Sequence, residues 1–340
     1  MSNLEEAILT KNIRSGRRRL IAGGIIQVIA GVITAILAAA MLLASLIFGD
    51  MEDEHLASVI NRSFMYSLFF YGGITAWMIT MGLGSLSLKR WARALTLVVM
   101  WPGFVLGAYT AITSFLFVPD MLQSFSPGEN VPAELMSVVT YFSMGMIFVI
   151  YIGFPGLLVL LYTGKRTREA CEYYQPSPVW TDKRPLPVLA ACFLFCSQTI
   201  GLRPLFLVLD AFPLFGTLVK GPVGFALIGA TLLLCVPLTW GFYQLRPLAW
   251  WGTLTLSLFL FSTLSVTFFR MDGVELMRLF GFTDQDMQQV QVGDFLNLPI
   301  FNTQMIGFPI LLLAFFGYTK RFFKKGEEAV LSPEPPVEQE

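Results

Sequence analysis

The chain has 340 residues, of which 55% are hydrophobic and only 14% charged, against roughly 25% charged in an ordinary soluble domain. Its 23 Lys and Arg balance 23 Asp and Glu, so no basic excess exists to neutralise nucleic-acid phosphates. The mean hydropathy of +0.66 excludes a cytosolic enzyme of this size. One histidine and four cysteines leave little to hold a metal or haem, and no cofactor is expected.

A membrane-spanning helix needs about 20 mostly apolar residues, because backbone amides in hydrocarbon must be satisfied within the segment. Eight stretches qualify: residues 20–48, 64–87, 94–117, 137–163, 187–211, 222–243, 249–269 and 298–318. The first follows a basic lead-in and contains Ala38-Ala39-Ala40, a triplet like a signal-peptide cleavage site. Its apolar run continues through Phe48, too long for a signal core, so a retained anchor is expected. Gly31 on the first stretch and Gly72, Gly73, Gly82 and Gly84 on the second suit close helix packing. The fifth stretch is the least regular, with Arg203, Pro204 and Asp210 in its second half.

Cations alternate with the spans. Eighteen of the 23 Lys and Arg lie in the N-terminal segment, in the connections after the second, fourth and sixth stretches, or after the eighth. The positive-inside bias then places both termini in the cytoplasm, in a bacterial-type plasma (inner) membrane.

The second half repeats the first. The segment Gly84 to Leu97 matches Gly241 to Leu254 at an offset of 157, with five identities and one Lys/Arg exchange. Ile152-Gly153-Phe154-Pro155 recurs as Ile306-Gly307-Phe308-Pro309 at nearly the same offset. Two blocks in equivalent slots point to a duplication, and an even helix number per copy makes the copies parallel. The expected fold is an all-α polytopic bundle of eight spans in two parallel four-helix repeats. Its parts are a first unit at 1–163, a cytoplasmic linker at 164–186, a second unit at 187–325 and a disordered acidic tail at 326–340. Pro176, Pro178, Pro185 and Pro187 should keep the linker largely extended.

Within that linker, Ala170-Cys171-Glu172 and the run Pro178-Val179-Trp180-Thr181-Asp182, then Pro185-Leu186-Pro187, resemble a segment of uncharacterised multi-pass bacterial membrane proteins. The turn around Trp91-Ala92 is similar to turns in small four-helix bacterial membrane modules. The resemblance covers the linker and the turns, and it implies no activity.

Chemistry is sparse. The only histidine, His55, sits in an acidic loop with Asp50, Glu52, Asp53 and Glu54, more in keeping with a solvated loop than a cation site. Cys192 and Cys196 lie one turn apart, while Cys171 and Cys235 belong to other segments, so all four read as buried free thiols. No histidine stands in a span to serve as a base, no phosphate-binding glycine motif follows a strand, and no strand pattern exists. No enzyme activity is expected.

Two features remain as candidate sites. Arg203, Asp210 and Lys220 are the only charges near the membrane-embedded part of the fifth and sixth stretches. They form either an outward-facing polar pocket or a set of snorkelling side chains. Residues 203 and 210 would share a helix face about 10.5 Å apart. Pro155 and Pro309 free the carbonyls of Tyr151 and Met305 and act as hinges or fixed bends. The reading that follows is a non-catalytic scaffold or interaction subunit whose partners are the lipid bilayer and other membrane proteins. The alternative is a permease or ligand-binding protein for a neutral or lipid-like molecule.

Overall fold

The computed structural model describes residues 3–48, 54–124, 133–201, 211–270, 278 and 299–331. Among the described residues, seven helices are long and apolar enough to cross a membrane: Thr10–Ile47, Ser67–Leu86, Arg90–Phe117, Ser137–Thr163, Gly221–Tyr243, Pro247–Arg270 and Thr303–Phe323. Their outward faces are as apolar as their inward ones; Leu160 and Leu233, for example, are 74% and 76% exposed. In water such surface would drive aggregation, whereas in lipid it is the ordinary covering of a spanning helix. This is a helical membrane protein. Its helices fall into two compact units, one comprising Met1–Leu186 with Phe269–Met305, the other Pro187–Phe268 with Ile306–Glu340.

In the first unit α1 (Asn3–Phe48) packs along α2 (Glu54–Leu86). The contact is close because it runs over glycine: a Cβ on Gly82 would stand 2.9 Å from the Gly24 carbonyl, and one on Gly31 2.7 Å from Ile79. Gly72 and Gly73, expected to serve in the same way, meet nothing within 4 Å. α3 (Arg90–Ser124) lies against the fourth span, which is built from α4 (Ala133–Phe148), a π-turn at Val149–Gly153 and α5 (Phe154–Thr163). Leu20, Leu97, Met100, Leu158 and Tyr162 form the centre of this core.

A polar triad is sealed inside it. Gln27 Nε2 donates to Thr96 Oγ1 at 3.0 Å, and the Tyr162 hydroxyl donates to Gln27 Oε1 at 3.1 Å. All three residues are fully buried, so helix position is fixed by groups that would be costly to leave unpaired.

In the second unit α7 (Leu186–Gly201), α8 (Gly221–Tyr243), α9 (Pro247–Arg270) and α10 (Pro299–Leu331) contribute the buried Val188, Phe195, Phe242, Trp250 and Phe316. Trp250 Nε1–H is shared between the Phe316 carbonyl at 3.2 Å and Thr319 Oγ1 at 3.3 Å. α10 runs on to Leu331. Residues 332–340 lie outside the described part.

Two further expectations are corrected. The absence of strands does not hold: β1 (Ala211–Leu214) and β2 (Thr217–Lys220) pair antiparallel, with Leu214 opposite Thr217. Phe215 and Gly216 both have positive φ, as a two-residue hairpin turn of the I′ kind requires. Gly216 N–H donates to Thr267 Oγ1 at 3.0 Å, tying the turn to α9. The linker is also not an extended spacer, since Lys165–Tyr174 form an amphipathic helix, α6. It buries Thr167, Ala170 and Cys171, and it packs on α1.

The two turns matched in sequence share one geometry. α2 ends with Leu88 at φ 56°, Leu88 N–H on the Ser85 carbonyl and Lys89 N–H on the Gly84 carbonyl. α8 ends with Leu245 at φ 63°, Leu245 N–H on Phe242 and Arg246 N–H on Gly241. Both are Schellman caps with leucine where glycine is usual. Each glycine is needed because the next helix folds straight back over it: a Cβ would lie 2.7 Å from the Ala92 Cβ at Gly84 and 2.6 Å from the Ala249 Cβ at Gly241.

Candidate functional site

The cap at Leu88 starts α3 with Arg90 and Arg93 on the side where α6 returns. Arg90 holds the returning segment at several points. Its Nε lies 3.0 Å from Asp182 Oδ2 and one terminal nitrogen 3.7 Å from Glu172 Oε1. The other terminal nitrogen donates to the Gln175 and Pro176 carbonyls at 3.4 and 3.3 Å. The Arg90 backbone N–H, one of the orphan donors of a helix start, is taken by Gln175 Oε1 at 3.0 Å. Asp182 also accepts from Val179 N–H at 3.0 Å, closing the short 3₁₀ turn Trp180–Lys183.

Beneath this clamp is a cavity of about 260 Å³ lined by Arg90, Arg93, Arg168, Arg184, Glu172 and Asp182. Four guanidinium groups against two carboxylates leave it with a net positive charge. Arg168 Nε donates to Glu172 at 2.8 Å, and that bond raises the Arg168 pKa. Arg93 donates its Nε to the Tyr162 carbonyl at 3.0 Å, and no ion pair with a carboxylate is found for it among the described residues. Thr181 also lines the cavity. It is 2% exposed, and its hydroxyl has no hydrogen-bond partner among the described residues.

Cys171 forms part of the same wall. Burial pushes its thiol up to about 11 despite the opposing pull of Arg93 and Arg90. It is therefore a neutral thiol near pH 7, and so a slow nucleophile there.

The sequence candidates fare differently. Arg203 and Asp210 lie outside the described residues. Lys220 is exposed at the end of β2, immediately before α8. Pro155 is buried just after the π-turn, where Phe154 N–H reaches back to the Val149 carbonyl. The Tyr151 carbonyl, within the π-turn, is set directly against Gly107 of α3, where any Cβ would collide with it. That backbone contact suits a weak Cα–H···O interaction. Pro309 instead sits inside α10, which continues as α-helix on both sides.

Cys192, Cys196 and Cys235 gather around Thr239, with Cys196 Sγ 3.3 Å from its hydroxyl and Cys235 Sγ 3.7 Å. Among the described residues no group of His, Cys, Asp and Glu is arranged to hold a metal ion.

In the sequence, Arg90 and Arg93 count only among the cations of the connection after the second stretch. The available signal was the amphipathic spacing of Thr167, Ala170 and Cys171, whose buried side implied a surface to cover. Comparison with protein-family models, curated proteins and solved structures finds no match.

Proposed function

We propose that the protein is a non-catalytic interaction subunit of a membrane assembly, with the folded 164–186 segment as its working surface. The observation that carries this reading is the Arg90 clamp. A simple tether between two membrane units needs no ordered shape, yet this one is pinned by two carboxylates and three backbone or amide oxygens. Pinning displays Tyr173, Tyr174 and Trp180, which are 64%, 47% and 51% exposed. Tyrosine and tryptophan contribute disproportionately to protein interfaces. A neutral cargo suits the charged cavity poorly, which weighs against the permease alternative.

The arrangement in the membrane belongs to the same proposal. The chain crosses eight times as two parallel four-helix repeats, with both termini in the cytoplasm of a bacterial-type inner membrane. The matched Schellman caps support the duplication. α7, with 16 residues and about 24 Å of length, supplies the remaining crossing. An odd number of crossings would put the cluster Lys320, Arg321, Lys324 and Lys325 on the wrong side for the charge bias.

Two experiments test this. Reporter fusions after residue 325 and within 164–186 should give cytoplasmic signals, and fusions near 285 an external one; an external signal from the linker ends the topology. Replacing Tyr173, Tyr174 and Trp180 together with Ser should shift the protein from a larger complex to its lone mass on native gels from mild detergent. If wild type already runs alone, the interaction reading fails.

A further inference from the structure

We propose that the cavity under the 164–186 segment binds a phosphate-class anion, either a soluble phosphate or the phosphate of a lipid headgroup. Tyr173, Tyr174 and Trp180 are not among the residues that line it, so this site and the interaction reading stand or fall separately.

Charge comes first. Arg90, Arg93, Arg168 and Arg184 outnumber Glu172 and Asp182 by two in the lining. The two acids are already engaged: Asp182 with Arg90, and Glu172 with Arg168 and Arg90. Arg93 is left as a partly buried guanidinium whose hydrogen bond among the described residues goes through Nε to the Tyr162 carbonyl. Its fork of terminal N–H groups, the part that grips phosphate in two places, has no carboxylate within 4.0 Å among the described residues. α3 begins at Arg90, so the positive end of its dipole adds to the same field.

The second observation is Thr181. A buried hydroxyl ordinarily finds a partner, and leaving one unpaired costs free energy. Thr181 lines the cavity, is 2% exposed, and has no partner for its hydroxyl among the described residues. An oxyanion in the cavity would accept from it and from Arg93 together. The volume of about 260 Å³ holds a phosphate with a substituent, far more than one water needs. The cavity also lies where a membrane-spanning helix begins, the level at which lipid phosphates are found.

The test uses the full chain purified in dodecyl maltoside or placed in phosphatidylcholine nanodiscs. Inorganic phosphate is titrated against chloride at matched ionic strength, and phosphatidic acid is added to the nanodiscs, with the unfolding midpoint as readout. A rise with inorganic phosphate assigns a soluble ligand, and a rise with phosphatidic acid alone assigns a headgroup. Arg93→Gln should weaken the apparent affinity about tenfold, since it removes charge-assisted hydrogen bonds. Thr181→Val, nearly the same size, should weaken it severalfold. No rise with either probe, or equal affinity in wild type and both variants, overturns the site. If the variants do not fold, wild type still decides.

Discussion

Replacing Arg90 with Gln should open the 164–186 segment without unfolding the membrane bundle. Arg90 is the single side chain that touches Asp182, Glu172 and the Gln175 and Pro176 carbonyls. Its own side chain is 16% exposed, but the Asp182 and Glu172 side chains are 30% and 38% exposed. A charge-assisted hydrogen bond is worth about 1.5–3 kcal/mol when well shielded, and partial exposure moves this pair toward the lower end. Asp182 also keeps the Val179 N–H after the change. The net loss is therefore about 2 kcal/mol, or roughly a thirtyfold rise in the opening constant at 1.4 kcal/mol per factor of ten. Hydrogen exchange followed by mass spectrometry reads this at Gln175 N–H, bonded to the Cys171 carbonyl, and at Asp182 N–H, bonded to Val179. Those amides should exchange roughly thirtyfold faster while amides of α2 stay unchanged. Arg90→Lys, which keeps the charge but loses the fork, should fall between. Unchanged exchange in the segment, or equal acceleration throughout the chain, would refute the clamp.

Gly84→Ala and Gly241→Ala should each destabilise by about 1–3 kcal/mol, because the new methyl meets Ala92 or Ala249 well inside van der Waals contact; thermal unfolding in detergent checks both. Gln27→Leu takes from the Thr96 and Tyr162 hydroxyls the amide that bonds both. It should lower stability by about 1 kcal/mol or more, with Tyr162→Phe in the same background costing little extra. The Cys171 thiol has its pKa raised to about 11, so its burial stabilises the fold fully below the ordinary thiol pKa and ceases to do so as pH rises from about 9 through about 11. Maleimide labelling at Cys171 should stay slow at pH 8 and rise across that window; fast labelling at pH 8 would contradict the burial.

The long apolar helices were legible because hydrocarbon imposes one requirement on every residue of a span, and composition alone reveals it. The turn at Gly84–Leu88 was legible as well, because its duplicate at Gly241–Leu245 marked it as more than a loop. The hairpin at 211–220 was hidden by its surroundings. Phe212, Leu214, Leu218 and Val219 extend an apolar run already read as a span, and Phe215-Gly216 is a weak turn signal inside it. The clamp was hidden by distance. Arg90 meets Glu172 and Asp182 some eighty to ninety residues on, and nothing local distinguishes such an arginine from one that only sets orientation. Prolines at 176, 178 and 185 drew attention to the extended half of the linker and away from the helix before it.

The sealed Gln27–Thr96–Tyr162 triad constrains how the protein is made. Gln27 leaves the ribosome 135 residues before the tyrosine that completes its bonding. At roughly 5–20 residues per second the first helix waits about 7–27 s with an amide that lipid cannot satisfy. During that interval α1 is better held beside the insertion machinery, or against α2, than released into open bilayer. A nascent chain halted before residue 96, with neither partner of Gln27 yet made, is therefore the stage at which quality-control proteases have the most exposed polar target, and synonymous codon changes that slow this stretch should lower the yield of intact protein without altering a single residue.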